Sequence, residues 1–212
     1  MTTPFRIRRP GPAAVSLATV TLSAVAASFL ACTSAGAGVT ASSEFRDYRV
    51  GGTTQASLVS YMQQNPFPGD EGPAFANIRQ TFSLSLQTKE DGNLCRPSAV
   101  NVNIHFVITL PKAVNASAIA GNARASWYQF VGFARHHEET RRTIFLECGQ
   151  AFVAKAMQLR STSGCMALDA KIRGMFEAAK SACDRRQFAY GRADDPRVRY
   201  LSLFHRGATA RR

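Results

Sequence analysis

The chain has 212 residues, with 26 Lys and Arg against 14 Asp and Glu. Three of the basic residues and none of the acidic ones lie in the first 37, so the remainder carries 23 − 14 = +9. That remainder, about 175 residues, suffices for one domain with a real core, and its C-terminal arginines come without a nucleic-acid module signature or a stacking-aromatic pattern, which argues against a nucleic-acid partner.

Residues 1–37 read as an export leader. Arg6, Arg8 and Arg9 form a positive n-region, residues 13–31 are small and apolar without charge, and Ala35-Gly36-Ala37 is an A-x-A-like cleavage site. Phe29-Leu30-Ala31-Cys32 also resembles a lipoprotein signal, in which Cys32 is lipidated. A retained anchor is the third option, since the stretch nears the ~20 residues of a span, although its Ala, Ser and Thr content makes it weakly hydrophobic. All three place the protein outside the cytoplasm: periplasmic, secreted or lipid-anchored to the envelope. The membrane is then reached only through the leader or a lipid.

Residues 38–44 are a Gly/Ser/Thr/Ala linker, and 45–50 alternate as a strand. Gly51-Gly52 breaks it, and Thr53 caps a short helix carrying Ala56, Leu58, Val59 and Met62. Residues 65–73 hold three prolines and form a loop. A strand over 78–86 puts Phe82, Leu84 and Leu86 on one face. Val100, Val102, Ile104, Phe106, Ile108 and Leu110 then alternate without a break. The connection 89–98 contains Asp91-Gly92-Asn93 and Pro97, so the two strands form a hairpin that Pro111 ends.

The period changes to three and four over 123–159, where Trp127, Phe130, Val131, Ala134, Phe145, Cys148, Phe152, Ala156 and Leu159 mark a long helix. Residues 161–164 are a turn, and 165–188 form a second helix carrying Leu168, Ile172, Met175 and Phe176. The tail 191–212 is basic, contains Asp195-Pro196 and reads as irregular. The fold class is α+β: a small antiparallel sheet with a β-hairpin, packed on a long antiparallel helical hairpin.

Cys95, Cys148, Cys165 and Cys183 remain after the leader, an even number suited to two disulfides in an exported chain. No C-x-x-C pair exists, which argues against a zinc knuckle or a thioredoxin-type site. The turn between the helices centres near residues 162–163 and the Cys148/Cys183 midpoint is 165.5, a mismatch of only a few Å at ~1.5 Å per residue. Cys148 with Cys165 would span most of a helix. The expected pairs are therefore Cys148–Cys183 and Cys95–Cys165.

His137-Glu138-Glu139-Thr140-Arg141 has the frame of H-E-x-x-H, with arginine at the second histidine. In the intact motif two histidines four apart share a zinc ion and the glutamate is the general base. Arginine stays protonated and has no lone pair to give a metal. At 100° per residue His137, Glu138 and Arg141 fall inside the apolar arc of the helix, where a buried arginine needs a partner. A Glu138–Arg141 ion pair in the space of a zinc is the expectation; a salt-bridged surface is the alternative. His136 is displaced toward solvent. His105 lies on the outer side of its strand in a structural role, and His205 is the last histidine. Asn115-Ala116-Ser117 carries no weight as a glycosylation sequon in a bacterial chain, and neither a nucleophile elbow nor a phosphate-binding glycine loop is present.

Tyr48-x-Val50-x-Gly52, Leu58, Cys95 before the strand ending in Leu110-Pro111, Trp127-x-x-Phe130 leading to His137-Glu138, and Cys165-x-x-Leu168 occur in that order. The order resembles the bacterial "domain of unknown function 922" family, described as predicted secreted zinc-dependent proteases, over residues 45–190. The resemblance implies a zincin-like fold, zinc as cofactor, His137 as a metal ligand, Glu138 as general base and a late histidine in a Thr-x-His-Gly segment. Arg141 departs from it. So does the end: counted from Tyr190, Pro196 stands at the histidine, and around His205, Leu203 replaces the threonine and Arg206 precedes Gly207. Three readings follow. The first is a non-catalytic envelope protein that keeps the fold and a groove for a peptide or envelope protein, without a cofactor. The second is a zinc hydrolase using His137, Glu138 and a distant ligand, His205 or Glu147. The third is a basic module binding anionic cell-surface polymers through the arginine-rich tail.

Overall fold

The structure, a computed structural model, describes residues 37–70 and 72–205. The expected leader up to residue 36, lipidation at Cys32, and the tail from Arg206 lie outside the described residues.

The chain is an α+β protein organised around one strand. In order it forms β1 (Gly38–Val50), α1 (Gln55–Gln64), β2 (Phe67–Gly69), β3 (Gly72–Ala74), β4 (Asn77–Asp91), β5 (Leu94–Ala113), α2 (Gly121–Ala156), α3 (Cys165–Arg199) and α4 (Ser202–His205). β5 is central in a three-stranded sheet, and β2 and β3 form a separate two-stranded one. Its alternating side chains Val100, Val102, Ile104, Phe106 and Ile108 are buried, as one face of a pleated strand requires. The helices α2 and α3 cover that face.

β4 and β5 form the expected antiparallel hairpin, but its turn is tighter than the 89–98 loop read from the sequence. The strands pair out to Asp91 and Leu94, leaving Gly92 and Asn93 as the turn. Gly92 has φ of 63°, the left-handed value a hairpin position of this kind requires. Pro97 is accommodated inside β5 because it faces a register shift between Gln87 and Thr88. Pro111 does not end the strand either. Beyond Thr109 β5 has no β4 neighbour, so the missing N–H of Pro111 costs nothing on that side.

The expected linker 38–44 is strand. It extends β1, which pairs in parallel with β5 from Gly38 opposite Asn101 to Val50 opposite Ala113, so the sheet is mixed and not wholly antiparallel. Most of β1 is exposed. It is held by its backbone ladder on one edge, and its small polar residues give no alternation to read. α2 crosses over it at Gly149, where a Cβ would stand 3.3 Å from Val39 and 3.4 Å from Ile104.

The helix α1 starts one residue later than expected. Thr54, not Thr53, is the cap: its side chain accepts from the Ser57 amide while Ser57 Oγ accepts from the Thr54 amide. Gly52, at φ 118°, sits where a Cβ would meet Ser57 and the Leu58 amide under 3 Å. Leu58 and Met62 of α1 pack with Trp127, Phe130 and Leu203 in a second apolar cluster. The first cluster fills the space between the sheet and the helical hairpin, around Phe106, Phe145, Phe152, Leu168, Ile172 and Phe176.

α2 has 36 residues and α3 has 35, each about 50 Å long. α3 runs past the expected end at 188, and the tail read as irregular is helical over 191–199 with Pro196 inside it. Proline in the last turn removes one backbone bond and crowds the turn before it. Tertiary contacts offset this, because Asp194 is buried against α2 and Val198 lines the cavity described below. Cys148 bonds to Cys183 with Cα atoms 6.0 Å apart, and Cys95 to Cys165 with 5.1 Å. Beside the second, Cys95 and Ser161 exchange two backbone hydrogen bonds of 2.8 and 3.0 Å. The turn between the helices is thereby fixed to the start of β5. Among the described residues no helix is long and apolar enough to cross a membrane.

Candidate functional site

Three of the cross-links between the two long helices form a ladder. Cys148–Cys183, Arg141–Gln187 and His137–Asp194 are separated by 35, 46 and 57 residues, so each step moves along both helices together. The last two rungs are polar, and they form one wall of a cavity of about 480 Å³. Phe130, Phe133 and Phe188 and the 72–77 segment around β3 close the other sides.

At the outer rung His137 Nδ1 stands 2.7 Å from Asp194 Oδ2. A carboxylate can only accept, so Nδ1 carries the proton and Nε2 is left for other partners. Asp194 is 5% exposed and also accepts from Arg197 at 3.1 Å. The imidazole stacks on Tyr190 with centroids 5.0 Å apart. At the middle rung Arg141 Nε donates to Gln187 Oε1 at 3.2 Å, and Gln187 Nε2 returns a bond to the Arg141 carbonyl at 2.6 Å. Arg141 Nη1 lies 3.5 Å from Glu138 Oε2, with the Glu138 side chain 2% and the Arg141 side chain 14% exposed. The ion pair expected from the spacing is thus present inside the cavity wall.

His137, Glu138 and Arg141 are brought together; the distant candidates are not. His205 is exposed on α4, stands 6.5 Å ring to ring from Tyr200, and is not a wall of the cavity. Glu147 is exposed and bonds to Arg186. His136 is exposed, and His105 faces outward, 2.9 Å from Ser42 Oγ.

A catalytic zinc takes three protein ligands and an open position. Among the described residues no group of three His, Cys, Asp or Glu side chains is placed to share a cation. The position four residues after His137 offers a guanidinium, and Glu138 is held by it. The donors present do not fit a three-ligand zinc. The His137–Asp194 contact has the form of the carboxylate that orients a metal-bound imidazole, yet among the described residues no further ligands are grouped with it.

Sequence reasoning missed Asp194 and Gln187. Asp194 falls beyond the helix end expected at 188, and Gln187 lies just inside that end, where the sequence assigns it no partner. Continuing the 100° periodicity through Pro196 puts Gln187, Gly191, Asp194 and Val198 on one face, and that signal would have found them.

An α+β domain with a stapled helical hairpin and a half-polar cavity defines the class structurally. Residues 45–196 match the family described as "Bacterial protein of unknown function (DUF922)", and the chain belongs to it. The matched stretch contains every residue of the ladder. No curated protein and no solved structure matches the chain.

Proposed function

We propose that this family member is an exported protein that keeps the cavity of a zinc-protease-like fold for binding and does not catalyse hydrolysis. The observation that carries this is Arg141. It replaces the second ligand of H-E-x-x-H, enters the cavity wall, and engages both Glu138 and Gln187. A glutamate facing a guanidinium is a poor general base, because the permanent cation favours its charged form over the protonated one. Two disulfides favour an oxidising compartment outside the cytoplasm, which agrees with a leader over residues 1–37. The ligand on this reading is a peptide or envelope-protein segment.

The test is elemental analysis of the purified protein with a peptidase assay, beside Arg141→His, which rebuilds the motif. Zinc well below one equivalent and no hydrolysis are expected of the native protein, with a gain of zinc affinity in Arg141→His. Stoichiometric zinc in the native protein, with hydrolysis lost in Glu138→Gln, overturns the proposal. The His137–Asp194 contact favours that second reading, a working zinc hydrolase, because it presets the imidazole as a ligand.

A further inference from the structure

The exposed side of α3 carries a row of arginines, two of which also stand at the rim of the cavity. Arg185, Arg192 and Arg199 are seven residues apart, so at 100° per residue they drift only ~20° per step and lie on one stripe. They are spaced about 10.5 Å apart over about 21 Å. All three are exposed. Their neighbours Arg186 and Arg197 pair with Glu147 and Asp194, whereas these three make no ion pair among the described residues. Of the nearest acidic positions on the helix, Asp184 falls about 100° from Arg185, and Asp195 about 60° from Arg192 and about 40° from Arg199, so a single acidic position borders the stripe.

The row also carries apolar groups that the core does not claim. Phe188 sits between Arg185 and Arg192 and is 45% exposed, with the Arg192 guanidinium 4.6 Å over its ring. Tyr200, next to Arg199, is 76% exposed. In the sequence Arg206, Arg211 and Arg212 follow directly.

We propose that this face of α3 docks the protein on an anionic phospholipid surface, with Arg185, Arg192 and Arg199 at the phosphates and Phe188 and Tyr200 in the headgroup boundary. Charge complementarity sets the sign of the partner, and the rings decide its kind. A soluble polyanion uses the cations and gains nothing from two exposed aromatic side chains. A bilayer takes up both, since guanidinium stems and amphipathic rings lodge where headgroups meet acyl chains. Phe188, Arg192 and Arg199 also line the cavity. Docking through this row therefore sets the cavity beside the membrane, where it meets segments of membrane-anchored proteins. The docking itself does not depend on whether the cavity binds or catalyses.

The test is co-sedimentation of residues 38–212 with vesicles of phosphatidylcholine alone or mixed with phosphatidylglycerol. Binding is expected only to the mixed vesicles, and it weakens as salt screens the charges. Arg185→Gln, Arg192→Gln and Arg199→Gln together should weaken it about a hundredfold, at about fivefold per arginine. A control losing the same charge elsewhere, Arg49→Gln, Lys89→Gln and Lys155→Gln, should bind nearly as the native protein. Phe188→Ser with Tyr200→Ser should also weaken binding severalfold. Circular dichroism of each variant verifies the fold. Equal loss in both triple variants, absence of binding to the mixed vesicles, or binding insensitive to the ring variants and fully displaced by soluble polyphosphate overturns the proposal; the last outcome assigns the row to a polyanion.

Discussion

The same two helices are fastened covalently at one end and by polar side chains at the other. Toward the interhelical turn the contact is a disulfide at Cys148–Cys183 with Phe152 and Phe176 beside it, and Leu168 and Ile172 continue the same apolar cluster. Two rungs further out, it is Arg141, Glu138 and Gln187, then His137 and Asp194. The apolar end leaves little room, as close packing of chains without polar atoms does. The polar end borders a cavity of about 480 Å³. Buried charge is tolerated there because each group has a partner, and losing a partner costs more than the pair contributes. One end supplies stability, and the other holds open a shaped space.

The largest test of that contrast is reductive. The disulfides close chain segments of 35 and 70 residues, for which loop entropy gives about 4 kcal/mol each. Urea unfolding of Cys148→Ala with Cys183→Ala should show a loss of that order. A loss under about 1 kcal/mol would mean that the apolar packing alone holds this end and that the contrast is misdrawn.

The next effect lies at the polar end. Glu138→Ala removes a counter-charge from the Arg141 guanidinium in the cavity wall and should cost about 3–5 kcal/mol. Glu138→Ala combined with Arg141→Met removes both charges and should recover much of that loss. A double-mutant cycle on thermal unfolding measures the coupling. If the two single losses simply add, the pair is not a unit and the polar end is no network.

A smaller effect is expected at the outermost rung. Asp194→Ala removes the acceptor of both His137 and Arg197 and should cost about 1–3 kcal/mol. Because the rung is terminal, the loss should be local. Faster amide exchange over residues 187–199 with unchanged protection around Cys183 would place the boundary between the two ends where the ladder puts it.

How far the two ends could be read from the sequence follows from their chemistry. The apolar end was written in periodicity: β5 alternates strictly, the buried face of α2 recurs at three and four, and the spacing of the cysteines about the turn selected the two pairs that the structure contains. At the polar end the H-E-x-x-R frame and its place in the apolar arc were visible. Asp194 was not, because Asp195-Pro196 is a local stop signal that tertiary contacts override, and Gln187 was not, because its partner is set by how the two helices meet and not by the helix itself. The 38–44 half of β1 escaped for another reason. An exposed edge strand is held by its backbone, and backbone hydrogen bonds leave no mark on residue type.

Tyr48 provides the last and smallest prediction, since it is a buried polar group without a network. Its ring packs at 5.3 Å from Phe67, and its hydroxyl has no hydrogen-bond partner among the described residues. Desolvation pushes the phenol well above its ordinary value near 10. A group whose folded pKa is raised contributes fully below the unfolded pKa. Above about pH 10 the unfolded chain sheds this proton while the folded chain keeps it, so stability falls as pH rises. Tyr48→Phe removes the unpaired hydroxyl and this titration together. The variant should equal the native protein at neutral pH or exceed it by about 1 kcal/mol, and its margin should widen in alkali. Thermal unfolding at neutral and alkaline pH measures both. A loss at neutral pH would show that the hydroxyl is engaged, and that buried polar groups here are paired beyond the helical ladder.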